Sequence, residues 1–136
     1  MLNNCKVLKG GRLIDGTGRE PIDKSVVVIR EGLIESVGTA EAVDYSDSVE
    51  EIDVSGKTIL PGLVDAHIHL WGMKENLMTS GIPVFEDPML QAIRGVMDVW
   101  KLIDAGFTTV RNAGCIHALH LRNAINEGSI IGPRIL

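Results

Sequence analysis

The hydrophobic pattern divides this chain into two regions. Through the first sixty residues apolar positions come in short, often β-branched runs separated by turn residues. The pattern predicts strands at Cys5 to Leu8, Ser25 to Arg30, Leu33 to Val37 and Val49 to Val54. Ser25-Val26-Val27-Val28-Ile29 is the most β-branched stretch of the chain, a composition that suits a pleated sheet surface. Only Glu31-Gly32 separates it from Leu33-Ile34; two residues with a glycine free to take positive φ predict a tight hairpin. From Asp87 the period lengthens to about 3.6: Met89 or Leu90, Ile93, Val96 and Met97, Trp100 and Ile103 recur with Gln91, Arg94, Asp98 and Lys101 between them. That pattern predicts one amphipathic helix, capped by Asp87, opened by Pro88 and ended at Gly106. Phe107 to Arg111 reads as the next strand, and Leu119, Arg122 and Ile125 mark a shorter helix ending near Gly128. Strand, helix, strand, helix and the start of a strand imply parallel crossovers and an α/β class. A β-rich region, 1–60, thus precedes a βαβαβ region, 61–136.

Between these regions stands Pro61-Gly62-Leu63-Val64-Asp65-Ala66-His67-Ile68-His69. A strand repeats every two residues, so Asp65, His67 and His69 are expected on one face and Val64, Ala66 and Ile68 on the other. Two imidazoles on one face can converge on one ion, and neutral imidazole suits zinc and other borderline divalent metals. An isolated His-x-His is more often a hydrogen-bonded pair at a strand end, so the surrounding motif carries the metal reading. Asp65 is read either as a carboxylate that orients a ligand histidine or as a polar group that satisfies backbone donors.

The motif at 61–69, together with Gly106-Phe107-Thr108-Thr109-Val110-Arg111-Asn112, Leu121-Arg122-Asn123-Ala124-Ile125-Asn126-Glu127-Gly128 and Gly132-Pro133-Arg134-Ile135-Leu136, resembles the amidohydrolase superfamily. The nearest branch in character contains imidazolonepropionase-like and Xaa-Pro dipeptidase-like enzymes. The resemblance implies that 1–60 supplies part of a composite β-sandwich and that 61–136 begins an incomplete TIM (β/α)8 barrel. It implies His67 and His69 as ligands of one or two divalent ions, zinc first. The remaining ligands and an acid/base Asp are implied on later strands. The implied reaction is hydrolysis of a C–N bond in a cyclic amide, dipeptide or related small molecule by metal-bound hydroxide. Such a barrel takes about 250 residues, and 67 follow His69. The chain is therefore expected to be the front of an enzyme, inactive by itself. The alternative is a non-catalytic subunit or fragment that binds a partner chain supplying the missing strands.

Composition narrows the remaining classes. The chain is 45% hydrophobic and 23% charged, which is globular rather than disordered. Its formal charge is -5, but Glu41 to Asp53 carries six acids and no base, so the rest of the chain has a formal balance of +1. The 13 Lys and Arg are scattered singly, which argues against nucleic acid as a partner. No apolar run approaches a membrane span or a signal peptide. Cys5 and Cys115 match neither a disulfide framework nor a paired zinc spacing, so a reduced cytoplasmic setting is expected. A small-molecule substrate and possible homo-oligomerisation complete the expected partners. Several side chains near the motif are secondary candidates. Arg111 is a candidate for substrate binding or a helix-facing ion pair, and Asn112 stands where many relatives carry Asp. Trp71 is a candidate pocket floor, and Gly81-Ile82-Pro83-Val84 a connection able to cover the site. His117 and His120 share a helix face and are expected at the surface or its boundary. Cys115 is expected to be an unactivated thiol.

Overall fold

The computed structural model describes residues 5–46, 49–72 and 87–136. The connection Gly81-Ile82-Pro83-Val84 lies outside the described residues. The chain divides into two compact units, Met1–Pro61 and Gly62–Leu136.

In the first unit β1 (Cys5–Lys9), β3 (Ser25–Arg30), β4 (Leu33–Thr39) and β5 (Glu50–Asp53) form one sheet in the order β4-β3-β1-β5. The β1/β3 and β3/β4 pairs are antiparallel, while β1/β5 is parallel. The expected hairpin is present, with Glu31 at φ 52° and Gly32 at φ 79°. Positive φ at both positions matches the twist that a two-residue hairpin needs. Cys5, Val7, Val26, Val28 and Val43 make the core of this unit. Val27, from the other face of β3, is buried too. Ser25 is fully buried and donates from Oγ to the Gly11 carbonyl at 2.8 Å, which meets the demand that a buried hydroxyl be paired. A separate parallel pair, β2 (Arg12–Leu13) with β6 (Thr58–Ile59), was not anticipated from the sequence. Two-residue strands carry no readable period.

In the second unit β7 (Leu63–Ile68), β8 (Phe107–Asn112) and β9 (Arg134–Ile135) form a parallel sheet in that order. Helices α1 (Pro88–Asp104) and α2 (His117–Asn126) connect them. The architecture is mixed α/β, as the pattern implied. The Asp87 carboxylate accepts from the Met89 amide at 2.7 Å, Pro88 occupies the first turn, and Gly106 follows with φ 90°. Leu70, Val99, Val110, Ala118, Leu121 and Ile135 form the core, with Ile68, Val96 and Phe107 packed against it.

The buried face of α1 differs from the expectation. Its innermost residues are Gln91, Gly95 and Val99, whereas Met89, Ile93, Met97 and Trp100 are more than half exposed. Close approach explains the rotation. A Cβ at Gly95 would lie 2.9 Å from Leu121 Cδ1 of α2, so the two helices meet where α1 has no side chain. The best contact thus overrides the count of apolar positions. Buried Gln91 is paired: its Oε1 lies 2.6 Å from His117 Nε2, which is also buried. His117 is therefore an interior residue rather than the surface or boundary one expected, because α2 turns it toward the Gln91 side chain of α1, which bonds it. His120 is exposed.

Two predictions follow from this packing. Gly95→Val should destabilise the chain by about 1–3 kcal/mol through overpacking against Leu121, read as a lower urea midpoint with unchanged slope. The second concerns Asp98, whose carboxyl partial burial in α1 holds above its ordinary pKa, with Lys101 pulling the other way. A raised folded pKa means that stability is fully present below the unfolded value and is lost as pH rises through the folded one. Asp98→Asn should therefore raise the urea midpoint at neutral pH and converge with the parent below the ordinary carboxylate range.

Candidate functional site

The site is built at the end of β7, where the core decides which side chains stay outside. Ile68 packs against the helix-covered core and Leu70 is 3% exposed within it. His67 and His69 alternate with them and are exposed. Their rings lie together, with centroids 5.3 Å apart and planes inclined by 75°. Trp71 continues the row, half-buried, its ring 6.0 Å from that of His69 and tilted by 38°. Among the described residues neither imidazole is held by a hydrogen bond.

The strand is less regular than a two-residue period. Asp65 pairs with Val110 and Ile68 with Asn112, so the register slips by one residue between them. Asp65 Oδ1 accepts from the backbone N–H of His67 at 3.0 Å. Simple alternation from Asp65 to His69 is thus interrupted by an irregularity in the register, while the rings of His67 and His69 remain adjacent. Bulges leave an amide without a ladder partner and re-aim the side chains that follow, and here the carboxylate takes up that amide. Of the two readings of Asp65, its bond in this structure is the one to backbone.

Beyond β7 the backbone is held by side chains. The Leu70 N–H donates to Asn112 Oδ1 at 3.2 Å, and the Leu70 carbonyl accepts from Cys115 Sγ at 3.1 Å. Asn112 Nδ2 in turn donates to the Cys115 carbonyl at 3.1 Å. Cys115 is buried, so its thiol is a structural donor. The one trace of this arrangement in the sequence is the amide at position 112. Gly72 has φ 59°, and a Cβ there would collide with the Gln91 carbonyl of α1. A glycine is required by both facts. Arg111 is exposed and next to buried Val110 in β8, hence on the opposite face from the helices. Among the described residues it forms no ion pair.

The donor set suits a borderline divalent metal. Two imidazoles on one tetrahedral zinc place their nitrogens about 3.3 Å apart, given Zn–N distances of about 2.0–2.1 Å. Adjacent rings with free nitrogens on an open face meet that requirement in kind. The number of ligands is short: among the described residues no group of three or more His, Cys, Asp or Glu could hold an ion. The residues therefore fit part of a metal site.

The signature of the Amidohydrolase family matches residues 58–136. An imidazolonepropionase from Bacillus cereus is 44% identical over 70 residues, 48% of this chain and 16% of that enzyme. A dihydroorotase from Trichlorobacter lovleyi is 43% identical over 65 residues, 47% of this chain and 14% of that enzyme. Among solved structures, a Xaa-Pro dipeptidase with bound methionine in its active site superposes with a TM-score of 0.81 and 31% identity, over 97% of this chain and 32% of its own. Ochratoxinase from A. niger gives 0.81 and 28%, over 98% and 30%. The chain thus spans about a third of the length of these solved relatives. With more than half of its residues inside the family signature, the chain belongs to the amidohydrolase family, whose relatives named here are hydrolytic enzymes.

Proposed function

We propose that this chain forms the first part of a metal-dependent hydrolase that cleaves a C–N bond in a cyclic amide, a dipeptide or a related small molecule. The observation that carries the proposal is the pair of imidazoles standing side by side, free of hydrogen bonds to described residues, on the face of β7 turned away from the core. His67 and His69 would hold a divalent ion, zinc first. Such an ion supplies a water acidic enough to attack near neutral pH and polarises the carbonyl under attack. The names of the relatives favour the substrate class, since a dihydroorotase, an imidazolonepropionase and a Xaa-Pro dipeptidase are all among them. The parallel sheet with helices between its strands would be the opening of a (β/α)8 barrel, with the imidazoles at the C-terminal strand ends where barrel sites are built. Trp71 would wall the substrate on one side and Arg111, exposed on the next strand, would meet its polar end. The two free, buried cysteines accord with a reducing compartment.

A second reading, in which a further chain adds strands, is favoured by one observation. β7 and β9 are the outer strands of their sheet, and Leu63, Val64 and Leu136 lie 45%, 65% and 64% exposed there. Exposed apolar side chains on open strand edges invite strand addition.

The test is metal binding by the 136-residue chain. Titration with zinc or cobalt should show weak binding that either His67→Ala or His69→Ala reduces at least about tenfold, roughly 1.4 kcal/mol. Hydrolysis of cyclic-amide or dipeptide substrates should be absent from this chain alone and appear only when strands bearing further ligands are supplied. Binding indifferent to both substitutions would overturn the proposal.

A further inference from the structure

The β7 ladder ends at Ile68, one residue before the second imidazole. Ile68 is itself fixed, since its carbonyl accepts from the Ala113 amide at 2.7 Å. His69 lies beyond the regular pairing, and its orientation depends on what holds the peptide that follows it. Side chains hold it. Asn112 takes the Leu70 N–H, Cys115 gives its thiol hydrogen to the Leu70 carbonyl, and the Asn112 amide closes the loop by donating to the Cys115 carbonyl.

We propose that Asn112 and Cys115 are positioning residues for His69, a clasp that takes over from the sheet where the ladder stops and sets the spacing of the imidazole pair. The proposal rests on the reading of His67 and His69 as ligands. Its chemistry is specific to the side chains present. An amide at 112 both accepts and donates, as the two bonds require. An ionised carboxylate there could keep the bond from Leu70 but would turn an oxygen toward the Cys115 carbonyl. A thiol at 115 donates while filling a buried space, a role that a hydroxyl can also fill and a methyl group cannot. The leucine side chain at position 70 is buried in the core, so the clasp acts on a residue already anchored on one side and removes its remaining backbone freedom. Held on both sides, His69 loses little further freedom when it binds an ion, and that preorganisation is what affinity gains.

The experiment uses the whole chain with zinc or cobalt as the probe and amide hydrogen exchange as a second, metal-free readout. Asn112→Leu and Cys115→Ala should each speed exchange of the Leu70 amide at least about tenfold relative to the Val110 amide, and weaken metal affinity about three- to tenfold. Cys115→Ser should restore both. Should Asn112→Leu fail to fold, Asn112→Asp and the Cys115 pair carry the test, with Asn112→Asp intermediate in affinity. If the imidazole substitutions abolish binding while every Asn112 and Cys115 variant binds as the parent does, the positioning role is wrong and the ligand reading stands. If His67→Ala and His69→Ala leave affinity unchanged, the ligand reading itself has failed.

Discussion

A strand covered by helices on one face has no choice about where its alternate side chains go, and this constraint on β7 underlies everything functional in the second unit. Ile68 and Leu70 enter the core with Val99, Val110 and Leu121. Full burial of such a side chain is worth about 1.5–3 kcal/mol. Shifting the strand by one residue would expose both and drive two imidazoles into an apolar space without partners, a cost of several kcal/mol more. Packing therefore places His67 and His69 on the open face before any ion is considered. The two candidate ligands are positioned by residues that would not themselves touch an ion.

What packing cannot supply is precision, and two local devices supply it instead. The register slip between Asp65 and Ile68 re-aims the strand just before the first imidazole, and the Asp65 carboxylate stabilises it by capturing the His67 amide. At the other end, beyond Ile68, the Asn112 and Cys115 side chains hold the backbone where its ladder with β8 stops. Each device satisfies a backbone group that would otherwise lack a partner, which at a partly buried position costs about 1–3 kcal/mol. The segment of irregular backbone around the histidines is thus stabilised by hydrogen bonds rather than tolerated as a defect.

Much of this was legible in the sequence, and what was not has physical reasons. Strand type followed from β-branching, the hairpin from a Glu-Gly pair able to take positive φ, and the start and end of α1 from Asp87, Pro88 and Gly106, because each signal is local. The pairing of β2 with β6 was hidden, since two-residue strands have no period and their partners are distant. The inward face of α1 was misread because a helix with apolar residues on much of its circumference leaves the choice to tertiary contact, and the contact chosen centres on Gly95. His117 was misplaced for the same reason, its polar partner lying on another helix. At the candidate site the adjacency of the two imidazoles follows from their spacing and their candidate role from the surrounding motif; the register irregularity at Asp65 and the clasp on Leu70 arise from neighbouring strands and loops that spacing does not describe.

The same geometry explains why the described residues hold part of a site and no more. The nearest carboxylate in the strand is Asp65, and it is committed to the His67 amide. That bond uses one carboxylate oxygen, Oδ1, and a hydrogen bond to a charged acceptor is worth about 1.5–3 kcal/mol. His117 is bonded to Gln91 within the helix contact, and the Cys115 thiol is bonded to the Leu70 carbonyl. Among the described residues, Asp65, His117 and Cys115 each thus hold a bond to backbone or between helices. Two imidazoles remain, and a catalytic ion ordinarily takes three or more protein ligands with one position open to water. In the proposed enzyme the further ligands, and any group that moves a proton, must then come from elements other than these. On the proposed function, that division would make the unit a half-site whose contribution is a pair of adjacent nitrogen donors.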